Sequence, residues 1–173
     1  NYRNNRGMHI YHKGEFFNQD INDVNMYTEH NIAYSMSEPE LARYWMPCND
    51  RPYDKALSSM SVTVPNGYKV ASNGRLTDVY VLDDTKTLFV WDNADPIATY
   101  LMNFAASVYS EYHQEAITES DTIPMVHYFW EEDRDGEILK LEASMDTHPK
   151  MMQILTDNYG PYPFVKYGTA TVY

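Results

Sequence analysis

The sequence predicts a mainly β fold, a curved, saddle-like antiparallel sheet followed by a short C-terminal helical segment. Three observations point there. From residue 58 to about 130, short runs rich in β-branched and aromatic residues recur between Asn-Gly and Asp-Asp punctuation. Aromatic residues make up 14% of the chain, sixteen of them tyrosines, and such side chains suit half-buried pleated surfaces. After EDRDGE the apolar spacing turns helical, through Ile138, Leu141 and Met145, then Met151, Ile154 and Leu155.

Taken in order, residues 7–12 (GMHIYH) and 26–35 (MYTEHNIAYS) alternate as strands do. Ser37 with Glu40 three residues on forms a capping box, and Pro39 suits a first turn, which together predict a short helix over 38–45. PCNDRP then bends the chain. SSMSVTVP, NGYKVASNG, LTDVYVLDDT, KTLFVWDN, TYLMNFAASVYSEYHQEAIT and PMVHYFWEE read as successive antiparallel strands. Pro149 splits the helical part in two, with Thr147 placed to cap the second helix. The change of period sets a domain boundary near 133–136, leaving residues 1–135 as a β unit and 136–173 as the opening helices and strand of another domain.

Composition narrows the function. The length suffices for one domain with a core. A net charge of −12 with thirteen scattered cations repels phosphate backbones, which argues against nucleic acid as a partner. No run reaches the ~20 apolar residues that span a membrane. The single cysteine, Cys48, precludes an internal disulfide and a cysteine-based zinc knuckle, and reads as a small packing residue.

Catalytic and metal motifs are missing from the residue pattern. His9, His12, His30, His113, His127 and His148 show no HExxH spacing, and each reads as a surface or packing residue. There is no GxSxG and no phosphate-cradling glycine loop. Adjacent acids such as Asp83 and Asp84, or Glu131 and Glu132, diverge on a strand and read as turn formers and solvated surface. On residue chemistry alone the chain describes a binding or scaffolding module.

SEPELARYWMPCNDRP alters that reading. Ala42-Arg43 leading into Pro47-Cys48-Asn49-Asp50-Arg51-Pro52 resembles the N-terminal domain of zinc aminopeptidases of the aminopeptidase N type, the gluzincins. VTVPNGYKVASNG at 62–74 is similar to the family's strand-turn-strand ending in Ser-Asn-Gly, and DPIATYLMNFAAS at 95–107 resembles its Pro-x-x-Thr-Tyr-Leu strand. NYGPYPFVKYG at 158–168 looks like the segment that follows the first helix of the family's catalytic domain. These four pieces fall in order and correctly spaced over roughly residues 7–171.

The resemblance implies part of a zinc-dependent enzyme that removes N-terminal residues from peptides. Its GxMEN loop and HExxH zinc site are expected beyond Tyr173, so these residues alone are expected to hold no zinc and to be inactive. The catalytic domain of the same polypeptide is the implied partner, and self-association of the chain through an exposed sheet edge or helix face is also expected. Resemblance maps the binding of the substrate's free α-amine to Glu38; read without it, Glu38 only favours a helix N-terminus. Arg43 and Asp50 are structural in this reading, pairing to fix the loop that carries Glu38. Met36 stands where several family members carry Gln, which removes a polar group from that position. A non-catalytic aminopeptidase-like scaffold and an unrelated β-sandwich binding module are the alternatives.

Overall fold

A computed structural model of the chain describes residues 32–130 and 144–172. The predicted strands at 7–12 and over 26–31, most of the helix predicted through Ile138, Leu141 and Met145, and the domain boundary at 135/136 lie outside those residues.

The described strands are β1 (Ile32–Tyr34), β2 (Ala56–Pro65), β3 (Lys69–Ser72), β4 (Arg75–Val81), β5 (Lys86–Ile97), β6 (Phe104–Ser107), β7 (Tyr109–Ile117), β8 (Thr122–Trp130) and β9 (Tyr167–Ala170). Helix α1 (His148–Tyr159) lies between β8 and β9. The fold is mainly β and the pairing almost wholly antiparallel. The strands form three three-stranded sheets, ordered β1-β6-β3, β2-β5-β4 and β7-β8-β9. β9 joins β8 in parallel, as a strand reached through a helical crossover can. The expected boundary at 135/136 therefore has strands of one sheet on either side of it.

Alternation sets the layers. β5 buries Phe89 and Trp91, which meet Val64, Val70, Phe104 and Ala106 between the first two sheets. Ala105, one residue along β6, faces the other way and joins Ile32, Tyr109, Tyr128 and Trp130 against the third sheet. Every residue of β6 is buried, because the β1-β6-β3 sheet is covered on both faces. The outer face of the third sheet presents Ala116, Ile123 and Met125 to Met152 of α1.

Two turns explain their glycines. Gly67 (φ +89°) closes the β2–β3 turn, where Tyr68 N–H donates to Pro65 O at 3.2 Å. Gly74 (φ +76°) links β3 to β4, and a Cβ there would run into the backbone of Asp92. Asp83 Oδ1 accepts both the Thr85 hydroxyl and the Thr85 N–H in the β4–β5 turn. Those bonds, with the hydroxyl's the largest effect, hold the Asp83 carboxyl below its ordinary value.

Three local expectations differ from the structure. The helix over 38–45 is instead a turn leading into a single 3₁₀ turn, Ala42–Tyr44, with a cis Glu38–Pro39 peptide. The Ser37 hydroxyl does not cap, because it accepts the Trp45 indole N–H at 2.9 Å. The run from Thr99 to Thr118 is not one strand: a 3₁₀ turn, Thr99–Leu101, and a break at Val108 divide it from β6 and β7. Thr147 occupies the N-cap of α1, but its hydroxyl donates to Ser144 O at 2.6 Å rather than capping.

Candidate functional site

The turn that carries Glu38 is pinned from within. Ser37 is buried at 3% exposure; its carbonyl accepts the Leu41 N–H at 2.8 Å and its hydroxyl the Trp45 indole. Glu38 follows directly. Its side chain is exposed and bonds to none of the described residues, while Glu40 is engaged by Arg43 Nη2 at 2.8 Å and Arg51 Nη1 at 3.4 Å. Met36, two residues before Glu38, and Tyr44, at the end of the 3₁₀ turn, are exposed at 63% and 80%.

Asp50 anchors the same turn. Its carboxylate is almost fully enclosed, and Oδ2 accepts both the Arg43 backbone N–H at 3.3 Å and Arg43 Nε at 3.4 Å. The Thr99 hydroxyl donates to Oδ1 at 3.0 Å. Burial opposes the ionised form, but the hydrogen bonds from Arg43 and Thr99 outweigh it and hold the Asp50 carboxyl below its ordinary value. Asp50 in turn holds the Arg43 guanidinium protonated to higher pH than usual. Cys48 is half-buried, and that burial pushes its thiol up.

The structure thus brings Arg43 and Asp50 together and leaves Glu38 on the surface of the turn they hold. Sequence reasoning missed the contacts that four residues make. Thr99 stands inside the quoted DPIATYL stretch, which gave no hint that it reaches Asp50 across 49 residues. Lys166 donates from Nζ to Ser72 O at 2.8 Å and lies 4.9 Å from the centre of the Trp91 ring. Burial lowers its pKa to about 8. His127 and His148 meet under α1 with rings 5.0 Å apart. Among the described residues, no three His, Cys, Asp or Glu side chains come together as a metal-binding group, and no helix is long and apolar enough to cross a membrane.

A layered β unit with an anchored, acid-bearing turn defines the class, and comparison with known proteins gives the family. The description of the Peptidase M1 N-terminal domain matches residues 13–101, half of the chain, and the chain belongs to that family. Glutamyl aminopeptidase of Sus scrofa is 36% identical over 74 residues, 43% of this chain and 8% of that protein. Probable aminopeptidase 1 of Sulfurisphaera tokodaii is 29% identical over 115 residues, 65% of this chain and 14% of that protein. The crystal structure of an M1 zinc metallopeptidase from Deinococcus radiodurans matches 84% of this chain and 33% of its own, with a TM-score of 0.66 and 25% identity. The chain therefore spans only a small part of these relatives' length. The match removes the reading as an unrelated β-sandwich module.

Proposed function

We propose that this chain is part of a zinc-dependent aminopeptidase and forms the wall of its cleft that receives the free N-terminus of a peptide substrate. The observation that carries the reading is the membership in the M1 N-terminal domain family together with the exposed Glu38 carboxylate on a turn anchored by Asp50. Zinc would polarise the scissile carbonyl and activate water. The described residues do not fit that ion, since no three ligands among them converge, and no step is assigned to it here.

What the chain contributes is charge and position. A carboxylate ~4 Å from an ammonium gains ~1 kcal/mol in water and ~4 kcal/mol in a partly desolvated cleft. Demanding a free ammonium is a physical means of rejecting internal peptide bonds. Asp50, through Arg43, keeps the turn in one conformation so that Glu38 need not be ordered at each binding event.

The test is steady-state kinetics of the complete enzyme on aminoacyl-anilides. Glu38→Ala is expected to raise KM roughly 10- to 100-fold, which corresponds to ~1.4 to 2.8 kcal/mol, with a smaller change in kcat. Unchanged KM would reject the assignment of Glu38. Absence of any chelator-sensitive turnover in the wild-type enzyme would reject the enzymatic reading and favour the scaffold.

A further inference from the structure

The seam between α1 and the β7-β8-β9 sheet is apolar at both ends and polar in the middle. At one end Met152 meets Ala116, Ile123 and Met125; at the other Met145 packs on Phe129. His127 stands on β8 between Met125 and Phe129, fully enclosed at 0% exposure. Its Nδ1 shares a hydrogen bond with Thr169 Oγ1 of β9 at 2.8 Å, and its Nε2 is buried with no partner. His148, the first residue of α1, lies over it with rings 5.0 Å apart, and its Nδ1 is likewise buried without a partner. Both amide atoms of Gln114 on β7 are also buried and unsatisfied. Among the described residues only these two imidazoles converge here, fewer than the ligand number of a closed metal site.

We propose that the His127–His148 contact is an acid-sensitive latch, which holds α1 on the sheet while the buried His127 imidazole is neutral and releases it when His127 is protonated. Among the described residues, the groups facing His127 supply no compensating negative charge. They are Tyr112 of β7, which lies opposite it, Thr169 and Tyr167 of β9, and His148 of α1. Asp146, before α1, is taken up by the Tyr112 hydroxyl at 2.6 Å, and neither imidazole pairs with a carboxylate among the described residues. Glu111 and His113 bond each other in the exposed part of β7. A proton added to His127 would therefore be a buried charge beside a second imidazole, with no anion among the described residues to hold it.

The sign follows from the geometry. Burial first, and the neighbouring His148 second, lower His127 to about 4, whereas an imidazole in water titrates near 6.5. With α1 released, His127 takes up a proton that it refuses when closed. Closure is therefore complete above about pH 6.5 and weakens as the pH falls towards 4. The latch changes the open-to-closed ratio by at most about tenfold per pH unit in that window.

Amide hydrogen exchange on the intact protein tests this, with rates corrected for intrinsic pH dependence. Protection of α1 is expected to fall from pH 7 to 5 while that of the β2–β5 pair does not, and His127→Gln and His127→Phe are expected to flatten the α1 response. NMR titration of the wild-type imidazoles serves if those variants do not fold: the closed-state His127 resonance is expected to stay constant over the same range. Constant α1 protection, an undiminished response in the folded variants, or a His127 that takes up its proton near pH 6.5 with α1 still closed would each overturn the proposal.

Discussion

Asp50 shows how one enclosed carboxylate organises a surface turn. It receives a backbone N–H, a guanidinium and a hydroxyl from residues 7 and 49 positions away, so its removal strands several donors at once. Asp50→Ala is expected to lower Tm by roughly 5 °C, and in the complete enzyme to raise KM in the direction of Glu38→Ala but by less. Thermal melts and anilide kinetics read both; a variant that melts like the wild type would show that the turn is held by Ser37 and Trp45 instead. Because its folded-state value is lowered, the Asp50 contribution is present above the ordinary 3.8 and is lost as acid takes the pH through the lowered value. The pairing of Arg43 with Asp50 was legible in the PCNDRP pattern. The Ser37 hydroxyl was not, since a capping box and an indole acceptor look alike until Trp45 folds back eight residues to claim it. His127 was equally opaque, its hydrogen-bond partner Thr169 lying 42 residues away.

Strands β2, β3 and β5 were readable because each alternates in burial, and β4, exposed along its whole length, because Asn-Gly and Asp-Asp turns bound its β-branched run. Their order was not readable. β6 pairs with β1 and β3 at once, and nothing in FAAS names its neighbours beyond residues small enough to be covered on both sides. The two turn glycines separate conformational from steric demands. Gly67→Ala meets only a positive φ with open space around it, and is expected to destabilise by about 1 kcal/mol. Gly74→Ala adds a collision with the Asp92 carbonyl at the first pair of the β4–β5 ladder, Arg75 with Asp92, where backbone must shift, and is expected to destabilise by roughly 3 kcal/mol. Chemical denaturation of the two variants ranks them, and equal losses would mean that the β3–β4 turn yields more easily than the ladder geometry implies.

At the scale of the whole molecule, Lys166 ties the segment after α1 to the strand end at Ser72, across 94 residues of sequence. Its ammonium gains one backbone carbonyl and the face of Trp91 but no carboxylate among the described residues, so burial lowers its pKa to about 8 from the 10.4 typical of an unfolded chain. Between those values the unfolded state holds a proton that the folded state has released, and stability rises with pH. Tyr109 and Tyr128 act in the opposite sense. Burial raises both phenols, so above about pH 10 the unfolded state loses protons that the folded state keeps, and stability falls. The alkaline profile is therefore expected to climb from pH 8, by no more than ~1.4 kcal/mol per unit for the single lysine, and to turn over near pH 10. Lys166→Met replaces the ammonium with an apolar chain of similar length. It is expected to remove the climbing limb, raise stability at pH 7 to 8, where the charge is most costly, and leave the tyrosine-driven fall in place. Urea midpoints measured at half-unit steps from pH 7 to 11 distinguish the two limbs. A climbing limb that survives in Lys166→Met would assign it to another group, and a loss of stability at pH 7 would show that the bond to Ser72 and the contact with Trp91 outweigh the desolvation of the ammonium.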